Sequence, residues 1–199
     1  MAIDVVLASG NKGKIAEFNN ALSRIGFNII PQSEFNVSDA IENGLSFVEN
    51  AIIKARHAAQ QTNLPAIADD SGLEALALNG SPGIYSARYA GKHGDDKANN
   101  RKLIYELQNH EDRRAKFQCA LAFIRFAEDP NPIISQASWS GEILNEEKGK
   151  NGFGYDPIFW LPTLGKTAAE LQSEEKKAIS HRAKALKDLQ SKLEAYFPS

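Results

Sequence analysis

The sequence predicts an α/β fold: a mixed twisted sheet with flanking helices, built as a single domain over residues 1–199. Three observations carry that expectation. Apolar runs alternate with helical periodicity from Ile3 to Ala68, as parallel strands joined by crossover helices do. Two alternating segments flank Asn131-Pro132, as the strands of an antiparallel hairpin do. The 199 residues are 42% hydrophobic, 24% charged and 9% aromatic, enough for a sizeable core and too apolar for a disordered chain.

Ile3 to Ala8 reads as a buried strand ending in Ser9-Gly10-Asn11-Lys12-Gly13-Lys14. Ile15, Phe18, Leu22 and Ile25 then recur at helical spacing until Gly26 stops them. Phe27 to Ile30 is a second strand, ended by Pro31. Ser46 with Glu49 is a capping box that opens a helix to about Gln61, with Phe47, Ala51, Ala55, Ala58 and Ala59 as its buried stripe. Leu64 to Ala68 reads as a short strand running into Asp69-Asp70-Ser71-Gly72. Four glycines and Pro82 make Asn79 to Gly94 loop-rich. Asp95 or Asp96 caps a helix with Leu103, Ile104 and Leu107 on its stripe. Phe117, Cys119, Leu121 and Phe123 alternate as a strand, and so do parts of Ile133 to Ile143. Gly149 to Pro157 is a mobile loop carrying two aromatics. Thr167 with Glu170 marks a short capped helix. Ile179, Leu186, Leu189 and Leu193 define the last one, with Ser180 as an internal cap that starts a fresh helix at His181.

The charge balance narrows the partners. Lys and Arg total 23 against 25 Asp and Glu, a net charge of −2, so no broad field collects nucleic acid or an anionic membrane. A small anion remains possible, because it needs only a local basic cluster. The single cysteine, Cys119, makes no internal disulfide, and His57, His93, His110 and His181 are too scattered for a zinc site. Met1 to Ala8 lacks the basic start and long apolar stretch of a signal peptide. No run approaches the roughly 18 apolar residues of a membrane span. A cytoplasmic protein is expected, with neither membrane nor nucleic acid as partner.

Four motifs have the composition of chemistry. Ser9 to Lys14 lies between strand and helix, where backbone N–H groups attract phosphate, although the spacing is neither Walker A nor a dinucleotide fingerprint. Asp69 and Asp70 follow a strand and point to opposite faces, so one can hold Mg²⁺ while the other orients it or activates water. Glu42 precedes the capped helix that carries Lys54, and it is a further candidate ligand. In Gly152-Phe153-Gly154-Tyr155-Asp156-Pro157, an aromatic and a carboxylate offer a face to stack on and an edge to bond. Lys176, His181 and Arg182 flank the expected break at Ser180. Each motif alone also has a bland reading: a plain turn, a solvated charge, a core plug or a basic helix face.

Their order is more informative. Ser9 to Lys14, Glu42-Asn43-Gly44 before Phe47 to Ala51, and Ala68-Asp69-Asp70-Ser71-Gly72-Leu73 come first. Pro82 to Arg88, Gly152 to Pro157 and Ser180-His181-Arg182 follow. Over essentially its whole length the chain resembles the inosine/xanthosine triphosphate pyrophosphatase family, most of all its bacterial members. The one departure noted is Ser9, where many relatives carry Thr, and either hydroxyl serves.

The resemblance implies Mg²⁺-dependent hydrolysis of ITP, dITP or XTP to monophosphate and pyrophosphate. It also implies an elongated, two-lobed domain with a central cleft, and a homodimer. By motif, Ser9, Gly10, Asn11, Lys12, Gly13 and Lys14 grip the triphosphate, with Lys54 and Lys176 adding charge. Asp70 activates water and, with Glu42, approaches the metal, while Asp69 supports them and Ser71 touches substrate. Phe153, with Gly154 and Tyr155 in the same loop, stacks on the base, and Asp156, His181 and Arg182 read its edge. Two alternatives are a Maf-like pyrophosphatase of modified pyrimidine nucleotides, separable by a substrate panel, and a non-catalytic nucleotide-binding module, which would bind ITP and release nothing.

Overall fold

The computed structural model describes residues 2–197. Strand β1 (Ile3–Leu7) leads through the Ser9–Asn11 turn into α1 (Lys12–Leu22), whose first turn is capped by Asn11. A 3-10 turn, Ser23–Ile25, closes that helix, and Gly26 at φ 82° redirects the chain into β2 (Phe27–Pro31). Helix α2 (Phe47–Thr62) starts at the N-cap Ser46, and β3 (Ala66–Ala75) follows it. β1 pairs in parallel with β2 on one side, Ile3 opposite Phe27, and with β3 on the other, Leu7 opposite Ile67. Then come α3 (Asp96–Glu106), β4 (Arg114–Ile124), β5 (Ile133–Ile143), β6 (Phe159–Leu161), β7 (Lys166–Thr167), α4 (Ser173–Ile179) and α5 (His181–Tyr196). The seven strands stand in the order β2-β1-β3-β4-β5-β6-β7, with β6 antiparallel to both of its neighbours. The sheet is therefore mixed, as expected.

The chain divides into two compact units. The first holds the residues up to Asp70, Cys119–Ala137 and those from Ala185 onward. Its strands alternate strictly between two faces. Val5, Leu7, Ile67, Cys119, Leu121 and Phe123 pack with Phe18 and Leu22 of α1 and Leu186, Leu189 and Leu193 of α5. Their neighbours Val6, Ala66, Ala68, Ala120, Ala122 and Ile124 pack with Ala51, Ala55, Ala58 and Ala59 of α2. The second layer is alanine against alanine, and interiors are close-packed, so it has no room for larger side chains. Ala55→Leu is expected to destabilise the protein by about 1–3 kcal/mol through overpacking. For a chain of this size that lowers the melting temperature by roughly 2–12 °C, and an unchanged melting curve would contradict the packing.

The second unit holds Ser71–Gln118 and Ser138–Lys184. Its core joins Leu73, Leu103, Leu107, Phe117, Trp139, Ile158, Phe159 and Leu171. Helix α3 is capped by Asp95, and Thr167 with Glu170 forms a capping box on the 3-10 turn Ala168–Glu170. Ser180, at φ −67° and ψ 159°, separates α4 from α5 and accepts the Ala183 N–H.

Two sequence expectations need correction. The third strand does not stop at Ala68: it runs through the acidic pair to Ala75. What ends near the acids is the parallel ladder, because β1 turns away after the Ala8 N–H bonds the Ile67 carbonyl. The glycine-rich loop from Gly149 is tied down rather than free, through Lys148 N–H to Pro157, Asn151 N–H to Ala169 and the Asn151 amide to Leu171. No helix among the described residues is long and apolar enough to cross a membrane.

Candidate active site

The alternation of β3 places the two acids. Ala66 and Ala68 face α2, so Asp70 faces α2 as well, whereas Asp69 shares the face of Ile67 and meets α1. Lys14 of α1 reaches both Asp69 oxygens, at 2.9 and 2.8 Å, and the acid itself is 3% exposed. On the other face, Asp70 is gripped from α2. Lys54 Nζ donates to Asp70 Oδ1 at 2.7 Å, and the Asn50 amide approaches Oδ2 at 3.5 Å. Residues 50 and 54 are one helical turn apart, which is why both reach one carboxylate.

The same helix fastens the loop carrying Glu42. Lys54 Nζ also donates to Glu42 Oε2 at 3.3 Å, the Gly44 N–H bonds Asn50 Oδ1 at 2.9 Å, and the Leu45 N–H bonds Glu49 Oε2 at 2.9 Å. A side chain at Gly44 would stand 2.7 Å from Asn50 Oδ1, so the loop passes where only glycine fits. Glu42 and Asp70 are thus brought together by one ammonium group.

Three carboxylates (Glu42, Asp69, Asp70) meet two ammonium groups (Lys14, Lys54) in this cluster. The cluster therefore holds one more carboxylate than it has ammonium groups. Burial pushes the Asp70 carboxyl up, Glu42 and Asp69 push it further, and Lys54 only partly pulls it back. Burial alone would lower the Lys54 ammonium, but Asp70, Asp69 and Glu42 together hold it above the ordinary lysine value.

The turn before α1 is occupied by its own side chains. Asn11 Oδ1 accepts from the Gly13 and Lys14 N–H groups at 2.9 and 3.1 Å, and Ser9 Oγ accepts from Asn11 N–H at 3.2 Å. Gly10 and Lys12 are exposed beside them.

In the second unit, Phe153 lies between Gly152 at φ 78° and Gly154 at φ 62° and is 61% exposed. Asp156, buried to 2% exposure, accepts the Phe153 N–H on Oδ2 at 2.8 Å and pairs through the same oxygen with Lys176. Lys176 Nζ also sits 5.0 Å from the centre of the Phe153 ring. Tyr155 belongs to the core: its hydroxyl donates to the Ser86 carbonyl at 2.8 Å, so its side chain plugs the unit and does not present itself to a ligand.

The first residues of α5 are His181 and Arg182, both nearly buried. His181 stacks on Phe117 with centroids 4.9 Å apart and planes 9° from parallel, and Trp139 lies beyond at 6.4 Å.

A family model, the Ham1 family, matches residues 5–192. The chain belongs to the Ham1 family. A Ham1 protein from Coxiella burnetii superposes with a TM-score of 0.94 at 51% identity, covering 97% of this chain and 99% of that one. A dITP/XTP pyrophosphatase from Thioalkalivibrio sulfidiphilus is 56% identical over 192 residues, 96% of this chain and 98% of the relative. One from Vibrio cholerae is 56% identical over 187 residues, 93% and 94% of the two chains.

Three features of this Ham1 chain escaped the reading of its motifs. Asn50 grips Asp70, and the signal was an asparagine on an otherwise alanine-rich buried stripe. Phe117 and Trp139, with Phe159 packed against both, line His181, though residues so distant in sequence carry no local sign of it. Asp96 and Asn100 reach the Phe153 loop from α3.

Proposed function

We propose that this chain hydrolyses deaminated purine nucleoside triphosphates (dITP, ITP and XTP) to the monophosphate and pyrophosphate. The observation that carries the reading is the Asp70 carboxylate, held at both oxygens by Lys54 and Asn50 within a surplus of negative charge. Water attacks the α-phosphorus, the bond from that phosphorus to the bridging oxygen breaks, and pyrophosphate leaves with the bond electrons. Asp70 takes the proton lost by the water. Burial raises the Asp70 carboxyl above its ordinary value, which strengthens it as a base for that task. Lys14 and Lys54, paired with Asp69 and Asp70, add positive charge beside a reaction that accumulates negative charge.

The family resemblance implies Mg²⁺ and a homodimer, and to these we add the cytoplasmic setting expected from the composition. Among the described residues no group of three or more His, Cys, Asp and Glu side chains is placed to hold a metal ion. The donors still fit magnesium, which is commonly bound by one or two carboxylates and completed by water and phosphate. Glu42 and Asp70 are such a pair, and the Lys54 ammonium that bridges them marks where they accept a cation. Bound there, magnesium would supply Lewis-acid stabilisation of the phosphoryl oxygens.

In the second unit, the exposed Phe153 ring offers a stacking face for the base. Among the described residues both side-chain bonds of Asp156 fall on Oδ2. Oδ1 is assigned the N1–H of hypoxanthine or xanthine, while His181 and Arg182 serve the 6-oxo group. Adenine presents the reverse pattern along this edge and mispairs, a contrast worth roughly 10⁴ where the partners are buried. With Mg²⁺, the purified protein is expected to release pyrophosphate from dITP and XTP at least about 10³ times more efficiently than from ATP. Equal efficiencies would overturn the base assignment. Turnover of dUTP or methylated pyrimidine triphosphates in preference to dITP would favour the Maf-like alternative, and binding of ITP without product would favour a non-catalytic module.

A further inference from the structure

We infer that Asp96 and Asn100 of α3 are positioning residues for base selection, because they clamp the peptide groups on either side of the Phe153–Gly154–Tyr155 turn. The inference rests on the assignment of Phe153 as the stacking face. Asp96 Oδ2 accepts the Gly154 N–H at 2.7 Å, and Asn100 Nδ2 donates to the Gly154 carbonyl at 3.2 Å. The two residues are one helical turn apart, so a single rigid element holds the N–H and the C=O of the same glycine. Gly154 sits at φ 62°, where the backbone lacks an intrinsic preference that would hold it there, and external bonds select that conformation.

The state of Asn100 argues against a purely stabilising role. Its Nδ2 also donates to Glu147 Oε1 at 3.0 Å, and with two acceptors on that side the amide cannot be turned around. Its Oδ1 is buried and has no hydrogen-bond partner among the described residues. A buried acceptor left unmet costs stability, so an apolar residue would serve a mere core better. The amide fits a position where a donor must face Gly154. The chain of bonds then runs from α3 to Gly154 and on to Phe153, whose own N–H is held by Asp156.

The test compares kcat and KM for ITP and for ATP, with melting temperature, in the full chain and four variants. Phe153→Ala calibrates the assay and is expected to raise the KM for ITP. Asp96→Ala leaves the Asp95 cap in place and is expected to raise the KM for ITP about tenfold, with kcat changed less than about twofold. Asp96→Asn keeps an oxygen acceptor for the Gly154 N–H and should restore the parental KM. Asn100→Asp conserves shape but turns an acceptor on Glu147 and the Gly154 carbonyl, so its KM should rise at least as much as that of Asp96→Ala. Should it fail to fold, the contrast between Asp96→Ala and Asp96→Asn decides alone. Equal KM values for Asp96→Ala and the parent, or equal damage from Asp96→Ala and Asp96→Asn, overturn the inference. If Phe153→Ala leaves KM unchanged, the stacking assignment falls and takes the inference with it. If only Phe153→Ala raises KM, the clamp alone is wrong.

Discussion

Asp70→Asn is expected to reduce kcat for ITP by about 10³, the loss typical of removing a general base, with little change in folding. The substitution keeps size and shape and leaves an amide that cannot accept the proton of the attacking water. Two opposed effects set its stability. Removing a buried carboxylate relieves the desolvation that raises the Asp70 carboxyl. Lys54, in turn, exchanges its 2.7 Å ion pair for a hydrogen bond to a neutral amide oxygen and keeps Glu42 at 3.3 Å. Each effect is of order 1 kcal/mol, so the melting temperature should stay within about 4 °C of the parent. Loss of turnover together with a collapse of the melting transition would mean that Asp70 is a structural ion-pair partner and not the base. Pyrophosphate release from ITP, measured beside a thermal melt, separates the two.

The acid pair also shows where the sequence was legible and where it was not. Period-two alternation was enough to say that Asp69 and Asp70 point to opposite faces, and the structure assigns those faces to α1 and α2. Capping chemistry located α2, α3 and the break at Ser180, because caps are local events between residues a few positions apart. The length of β3 was not legible. Asp-Asp-Ser-Gly has the composition of a turn, and it is kept extended by its place beside β4 in the sheet and by the bonds of Leu73 and Ala75 to Ser86 and Ser81. Asn50, Asp96 and Asn100 were hidden for the same reason. An asparagine in a helix reads as a weak helix former, and the value of these two comes from partners farther along the chain, the Asp70 carboxylate for Asn50 and the Gly154 carbonyl for Asn100. For Tyr155 the structure favours the blander of its two sequence readings, since its side chain is buried in the core and bonds the Ser86 carbonyl.

The glycines of the Phe153 loop give the second large expectation, and they should not behave alike. Gly152 and Gly154 both have positive φ, so alanine is strained at either, by about 1 kcal/mol or somewhat more. Their surroundings differ. A Cβ on Gly154 would meet nothing within 4 Å. One on Gly152 would run into Asp156 Oδ2 and lie 2.9 Å from its Cγ. That carboxylate cannot step aside: it is buried, it holds the Phe153 N–H, and it is paired with Lys176. Gly152→Ala must therefore break the Asp156–Phe153 bond or push the turn outward, and either result moves the aromatic face and the carboxylate together. A displacement of about 1 Å at a positioning element lowers catalytic efficiency by roughly 10². Gly152→Ala is thus expected to lower kcat/KM for ITP about a hundredfold while changing the much poorer efficiency on ATP far less, which erodes the discrimination between them. Gly154→Ala should cost less than about tenfold, because strain there is unaccompanied by a clash. If the two variants lose ITP efficiency equally, backbone strain alone governs the loop, and the Asp156 carboxylate is not the fixed point on which Phe153 is set.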